Sequence, residues 1–481
     1  MRGRSPPLKS SSSLLGRSFA LSLAAVLGSS AAVFACSGVS PDDTLVNGGS
    51  DDGGAGDGSS SSRRDAGSRR DSGIVVDGGC TGLGCQHDDC SATSDTTITG
   101  IAYAPNGITP LYNVIVYVPS DTKPLAPFAA GVSCDQCGTV DGTPVTSTTT
   151  DATGHFTLHN APSGTSIPLI FQLGKWRRQI QVATVTKCTE NPLTDANLTR
   201  LPKNQAEGDM PHIAISSGKC DNTACLLPKL GIDPAEYGTE ADIDTKRIIF
   251  YAADGADAPT GSATAQSLWG NETELKKFDA VILGCNCTED PAQSPDAGAP
   301  MLSGMADYLS RGGRALTLDF QYPWTEYGPA PMPATMQGFV GGAPEATSGT
   351  SYSINDATPK GAAAKAWLEA GDSTYTGGAI ALSTVFQNFS HVDSTRAQSW
   401  VGDATNDVVM SYTMPLTQPA DQRCGKMTYF DAHLGSTDVV SSTFPLGCTT
   451  TFTQEQRMYA FFFMDLFSCV QDDLKSPVLP K

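Results

Sequence analysis

KFDAVILGCNCTEDPAQSPDAGAPMLSGMADYLSRGGRALTLDFQYPW, residues 277–324, is the stretch that decides the fold. Residues 278–284 form a short run that is apolar on both faces. Residues 301–309 repeat apolar side chains at helical spacing, and 314–320 form a second apolar run after the Gly312-Gly313 break. Strand, helix, strand is a βαβ unit. Short strands without a polar face need helices on both sides, so the pattern predicts an open parallel sheet. Working outward, HIAISSG at 212–218, RIIFYAADG at 247–255 and KMTYFDAH at 426–433 supply three more strands of the same kind. The run TQEQRMYAFFFMDLFSCV is apolar on most sides and predicts a centrally packed helix. This α/β domain is expected over 211–472, with a tail at 473–481.

Upstream the period changes. TTITGIAYA, YNVIVYVP, GTPVTSTTTD, GHFTLHNAP and IPLIFQLGKWRRQIQV alternate apolar and polar residues between Pro, Gly, Asn and Asp turns. The chain is therefore read as multidomain: a small antiparallel β-sandwich at 80–190, a connector at 191–210, then the open sheet. Tyr103, Tyr112, Tyr117 and Trp176 are candidate ligand-binding residues, since aromatic faces on a sandwich can stack on sugar rings; ordinary packing is the competing reading. His155 and His159 lack a third ligand for a metal.

The first 35 residues have a basic start, an apolar run and small residues where a peptidase cuts, as in a secretory leader. Residues 36–79 are Gly, Ser, Asp and Arg with almost nothing apolar, too little to offset chain entropy. As a flexible tether they would reach about 35–40 Å. The formal net charge of −19 across 481 residues disfavours a nucleic-acid partner, because phosphate binding needs a basic face.

Fourteen cysteines, one of them Cys36 at the leader's end, leave an odd number in a chain whose compartment permits disulfides. Cys134 and Cys137 form a CxxC. Without a second ligand pair or a helix behind it, it reads as a local disulfide rather than a zinc or redox site. Cys285 and Cys287 follow the strand at 278–284, where a thiolate facing a helix N-terminus would be activated. In an oxidising compartment disulfides are the favoured reading for them, and Cys424 is expected to pair with Cys448. No metal or cofactor is expected.

Three resemblances follow from these residues. Val33-Phe34-Ala35-Cys36 resembles a bacterial lipobox, which implies lipid on Cys36, a membrane partner through that anchor, and a place at the cell envelope, on the outer membrane. TDATGHFTLHNAPSG, with TITGIAYAPNG and YNVIVYV, resembles the carboxypeptidase regulatory-like, transthyretin-like sandwich, which implies glycan contact by analogy. FDAVILG, the helix before RGGRALTLDF and the strand ending FDAHLG resemble the class I glutamine amidotransferase-like fold, in its ThuA-like branch. Amidotransferases place a cysteine between glycines after the strand, and a late histidine is the base. Here that turn reads Thr317-Leu318-Asp319-Phe320-Gln321, whose bulky residues are expected to deny it, and only His433 matches. The whole resembles bacterial cell-surface lipoproteins of unknown role.

Two functions are open. The first is a non-enzymatic surface lipoprotein that binds a carbohydrate, a surface protein or another extracellular macromolecule. The second is a secreted hydrolase-like enzyme using Asp319 and His433, which lie at carboxyl ends of strands where open α/β sheets bind ligands.

Overall fold

In the computed structural model the first seven strands of the described residues are β1 (Thr97–Ile101), β2 (Ile115–Pro119), β3 (Pro144–Thr149), β4 (His155–Leu158), β5 (Gly164–Leu173), β6 (Trp176–Val185) and β7 (Glu190–Leu193). The model describes residues 82–479, apart from 87, 92–93, 139, 222, 254–256, 343–350, 372–373, 376, 383, 435–443, 446–447 and 449–450. The expected leader, the whole of the expected tether and Cys36 lie outside the described residues. The seven strands make two sheets, β4-β1-β7 and β3-β2-β5-β6. All neighbours are antiparallel except β1 and β7, which run parallel. The segment expected as a connector thus contributes most of β7 to the sandwich. The β5–β6 hairpin turns on Gly174-Lys175. Gly174 has φ +57°, and a Cβ there would lie 2.1 Å from the Phe467 carbonyl, so glycine is required both for the turn and for the chain pressed against it.

The large sheet has ten strands. Its members are β8 (Ile213–Ser217), β9 (Tyr237–Gly238), β10 (Ile248–Ala252), β11 (Ala280–Leu283), β12 (Arg314–Leu318), β14 (Ser351–Ile354), β15 (Ala379–Ala381), β17 (Gln398–Gly402), β18 (Asp407–Met414) and β19 (Gly425–Phe430), in the order β15-β14-β17-β18-β19-β12-β11-β8-β10-β9. β13 (Met336–Gln337) and β16 (His391–Val392) form a separate two-stranded ribbon. From β9 to β19 the neighbours are parallel; from β19 to β15 they are antiparallel. The five expected strands all form and all sit in the parallel half. The expected open parallel sheet is therefore corrected to a mixed one. Its antiparallel wing was not legible, because β14, β15 and β17 have only four, three and five residues and carry too few apolar side chains to show a period. The fold as a whole is multisheet and β-rich, with helices.

Both faces of the sheet are covered. Ile213, Ile215, Ile282 and Leu316 point to one core, Ala214, Val281, Leu283 and Ala315 to the other. The second face packs on helix Ala299–Ser310 through Leu302, Met305 and Leu309. The first packs on helix Gln454–Leu466, which Thr453 and Gln456 begin with a capping box. That helix is buried through Met458 to Leu466, as its composition predicts. Sandwich residues Phe171 and Trp176 belong to the same core, and the Trp176 ring meets Phe467 edge-on at 5.7 Å.

Five disulfides are formed among the described residues: Cys90–Cys188, Cys134–Cys424, Cys137–Cys469, Cys220–Cys287 and Cys225–Cys448. Three expectations for the cysteines are corrected. Cys134 and Cys137 do not close on each other but tie one loop of the sandwich to β19 and to the C-terminal segment. Cys424 and Cys448 take separate partners, and Cys287 bonds Cys220 while Cys285 stays a buried free thiol. Local sequence spacing misled here because each bond joins loops that only the tertiary fold brings together. So many disulfides suit an extracellular or periplasmic compartment. Among the described residues no helix is long and apolar enough to cross a membrane.

Candidate functional site

Four neighbouring parallel strands, β8, β11, β12 and β19, end on the same edge of the sheet. Just past their carboxyl ends come Asp221, Cys285, Asp319, and Asp431 with His433. Open sheets bind ligands at this edge, so the position itself singles out the cluster. The backbones of the first two loops approach closely: a Cβ at Gly218 would lie 2.0 Å from the Cys285 carbonyl. The Cys220–Cys287 disulfide joins the same two loops.

Asp319 has φ +40°, a left-handed backbone that non-glycine residues adopt rarely and that Asp tolerates better than most. The tight turn that the flanking bulk was expected to deny is therefore made, by the aspartate itself. Its carbonyl accepts from Tyr429 Oη at 3.0 Å, which helps hold the turn. The carboxylate is fully buried. Oδ2 accepts from the Cys285 thiol at 3.1 Å, and Oδ1 from Asn388 Nδ2 at 3.2 Å. Asn388 also donates Nδ2 and its backbone N–H to Asp431, each at 2.6 Å.

His433 stands between two carboxylates. Nδ1 is 3.2 Å from Asp221 Oδ1, and Nε2 is 3.6 Å from Asp319 Oδ2. Asp221 is fixed in turn by the backbone N–H groups of Leu434 at 2.8 Å and Cys285 at 3.1 Å. The Phe386 ring meets the imidazole edge-on at 4.9 Å. His433 is the member that reaches solvent, with 12% of its side chain exposed.

Burial dominates the electrostatics. It pushes the Asp319 carboxyl up to about 6 against the opposing pull of His433 and the Cys285 hydrogen bond. Burial, then the Asp319 charge, pushes Asp431 up to about 7. The Cys285 thiol is driven far above its ordinary value by burial and by the charges of Asp319 and Asp221. A low-pKa thiolate at this strand end, one reading of the sequence, is not what the site holds.

The structure thus brings Asp319 and His433 together, as the hydrolase-like alternative required, and adds Asp221, Cys285 and Asn388. Asp221 was legible by the same position rule, since it lies just past the strand at 212–218. Asn388 lies in irregular chain between β15 and β16 and gave no signal. The four aromatics do not form a stacking face: Tyr117 and Trp176 have no exposed surface, and Tyr112 stacks on Phe461. Tyr103 is half-buried beside them in sequence only. A surface recess of about 990 Å³, lined by Ile108, Lys229, Phe452 and Arg457 among others, shares no residue with the cluster.

No family model and no curated protein matches the chain. Among solved structures, two interface mutants of a type II cohesin–X-dockerin complex from Acetivibrio cellulolyticus align with part of it. The N-terminal interface mutant aligns at 16% identity over 29% of this chain and 85% of that chain, with a TM-score of 0.17. The C-terminal interface mutant aligns at 19% identity over 26% and 78%, with a TM-score of 0.14. A likeness this low carries no argument about fold, partner or activity.

Proposed function

We propose that this chain is an exported bacterial envelope protein, anchored by lipid on Cys36 and lifted from the membrane by residues 36–79, whose large sheet carries a hydrolytic acid–base centre. The observation that supports the chemistry is His433, fixed at Nδ1 by Asp221 and facing Asp319 with Nε2 at 3.6 Å. That distance permits charge attraction but is too long for a hydrogen bond to Asp319, and the imidazole, the member of the cluster that reaches solvent, is the group that would take a proton from water. The imidazolium then lies between two carboxylates, which stabilise it as the orienting aspartate does in other relays. Asp319 occupies the turn where the amidotransferases that this sheet resembles hold their thiol, and glutaminase chemistry by that route is not expected. A binding protein without chemistry has no need of such a relay, and the glycan face built on the four aromatics is withdrawn.

The soluble Cys36→Ser protein should hydrolyse p-nitrophenyl acetate or butyrate above the buffer rate. His433→Ala and Asp221→Asn should each lower that rate by about 100-fold or more. A panel of activated esters and amides left untouched, or rates indifferent to both substitutions, would reject the centre. The anchor is tested separately: wild-type protein should partition with membranes, and Cys36→Ser should release it.

A further inference from the structure

We propose that Cys285, Asp319 and His433 bind a single zinc-class divalent cation, with Asp221 orienting the histidine from behind. The donors are Cys285 Sγ, Asp319 Oδ2 and His433 Nε2. Asp319 Oδ2 lies 3.1 Å from Cys285 Sγ and 3.6 Å from His433 Nε2. Ligand atoms of Cys285, His433 and Asp221 all lie within 4.8 Å of one another. A tetrahedral zinc ion with bonds of about 2.3 Å to sulfur and 2.0–2.2 Å to nitrogen and oxygen has edges of about 3.3–3.8 Å between its ligands. Both contacts to Asp319 come within well under an ångström of those edges.

Chemistry points the same way. One thiol, one imidazole and one carboxylate form a borderline-soft set that suits zinc and not magnesium or calcium. Both oxygens of Asp221 are already taken by the His433 ring and by two backbone N–H groups, which makes it an outer partner rather than a ligand. A carboxylate behind a ligating histidine fixes the ring and raises its basicity. Asn388 does the same for the second oxygen of Asp319.

Two independent features support the set. Cys285 stays reduced two residues from Cys287, which is oxidised, beside five bonded pairs among the described residues. In a disulfide-forming compartment a thiol persists where it is buried or ligated. The buried carboxylates of Asp221 and Asp319 also form their ion pairs with His433 alone, and no lysine or arginine reaches either among the described residues. A divalent cation would neutralise that surplus. On binding, the Cys285 thiol gives up its proton to solvent and its sulfur lone pair to the metal, and no electron is transferred. The three protein ligands leave the fourth position to water.

Metal on Nε2 would take the lone pair that the proton relay uses, and the water in the fourth position, its pKa lowered by the metal, would then do the work of the base. The test uses no substrate, so its failure leaves the relay reading standing. The full mature chain, stripped with EDTA and titrated with cobalt(II) chloride, should show a thiolate-to-cobalt charge-transfer band at one metal per chain. Zinc chloride should bleach it. Cys285→Ala should lose the band while its disulfide map is unchanged, and Asp221→Asn should weaken zinc about 10- to 100-fold. A wild-type titration without the charge-transfer band overturns the proposal, as does a band that survives in Cys285→Ala.

Discussion

The thiol of Cys285 lies 3.1 Å from Oδ2 of Asp319, so the side chains that follow β11 and β12 meet over the edge of the sheet. Two groups so close and so deeply buried cannot both be anionic, and a proton stays between them. Sulfur and carboxylate are joined there by a hydrogen bond that neither loop reveals by itself.

A shielded thiol follows from this contact. Cys285 has no exposed surface, and burial holds it protonated well beyond neutral pH. Iodoacetamide at pH 8 should leave the Cys285 peptide unmodified in native protein and label it fully in guanidinium. Rapid native labelling, read by mass spectrometry, would contradict the geometry.

The bonds from the CxxC should appear in non-reduced peptide maps as Cys134–Cys424 and Cys137–Cys469, spanning 290 and 332 residues. Cross-links over such long loops constrain the unfolded chain strongly. Replacing both cysteines of either pair by alanine should cost about 2–5 kcal/mol, read by denaturant unfolding. A Cys134–Cys137 peptide would refute the arrangement.

Asp465 sits at the end of helix Gln454–Leu466 between two buried ammonium groups, Lys360 Nζ at 2.9 Å and Lys426 Nζ at 3.1 Å. Burial opposes its charge, but the two lysines outweigh burial and hold the carboxyl well below the usual range. Asp465→Asn would strip both lysines of this partner, and the expected loss is about 3–5 kcal/mol. Because both lysines also pair with Asp473, adding Lys360→Met and Lys426→Met together with Asp473→Asn should recover most of it. A single variant within about 1 kcal/mol of wild type would show that water reaches the cluster.

Acid should weaken the junction after the sandwich. Arg200 grips Glu207 in two parallel bonds of 2.5 and 2.7 Å, and these hydrogen bonds bring the Glu207 carboxyl down to about 2. A depressed carboxyl contributes stability that is full above its unfolded value near pH 4.3 and lost as pH falls towards 2. Glu207→Gln should lower stability at pH 7 by about 1–3 kcal/mol and flatten the slope of stability against pH between about 5 and 2. An unchanged slope would mean the pair adds nothing.

The sequence by itself determined the elements whose signal is local. Apolar runs of strand length fixed β8, β10, β11, β12 and β19, the capped apolar run fixed the helix Gln454–Leu466, and alternation with turn residues fixed the sandwich. It also placed Asp319 and His433 at carboxyl strand ends, because strand direction and the βαβ unit dictate where the chain emerges. What only the tertiary structure decided is whatever depends on distance across the fold. The disulfides join cysteines as far as 332 residues apart, and spacing in sequence says nothing about which loops meet. Asp221 and Asn388 come to His433 and Asp319 from separate loops, the wing from β18 to β15 takes its register from the strand beside it, and Asp319 accepts a left-handed turn because its neighbours supply the hydrogen bonds that hold it there.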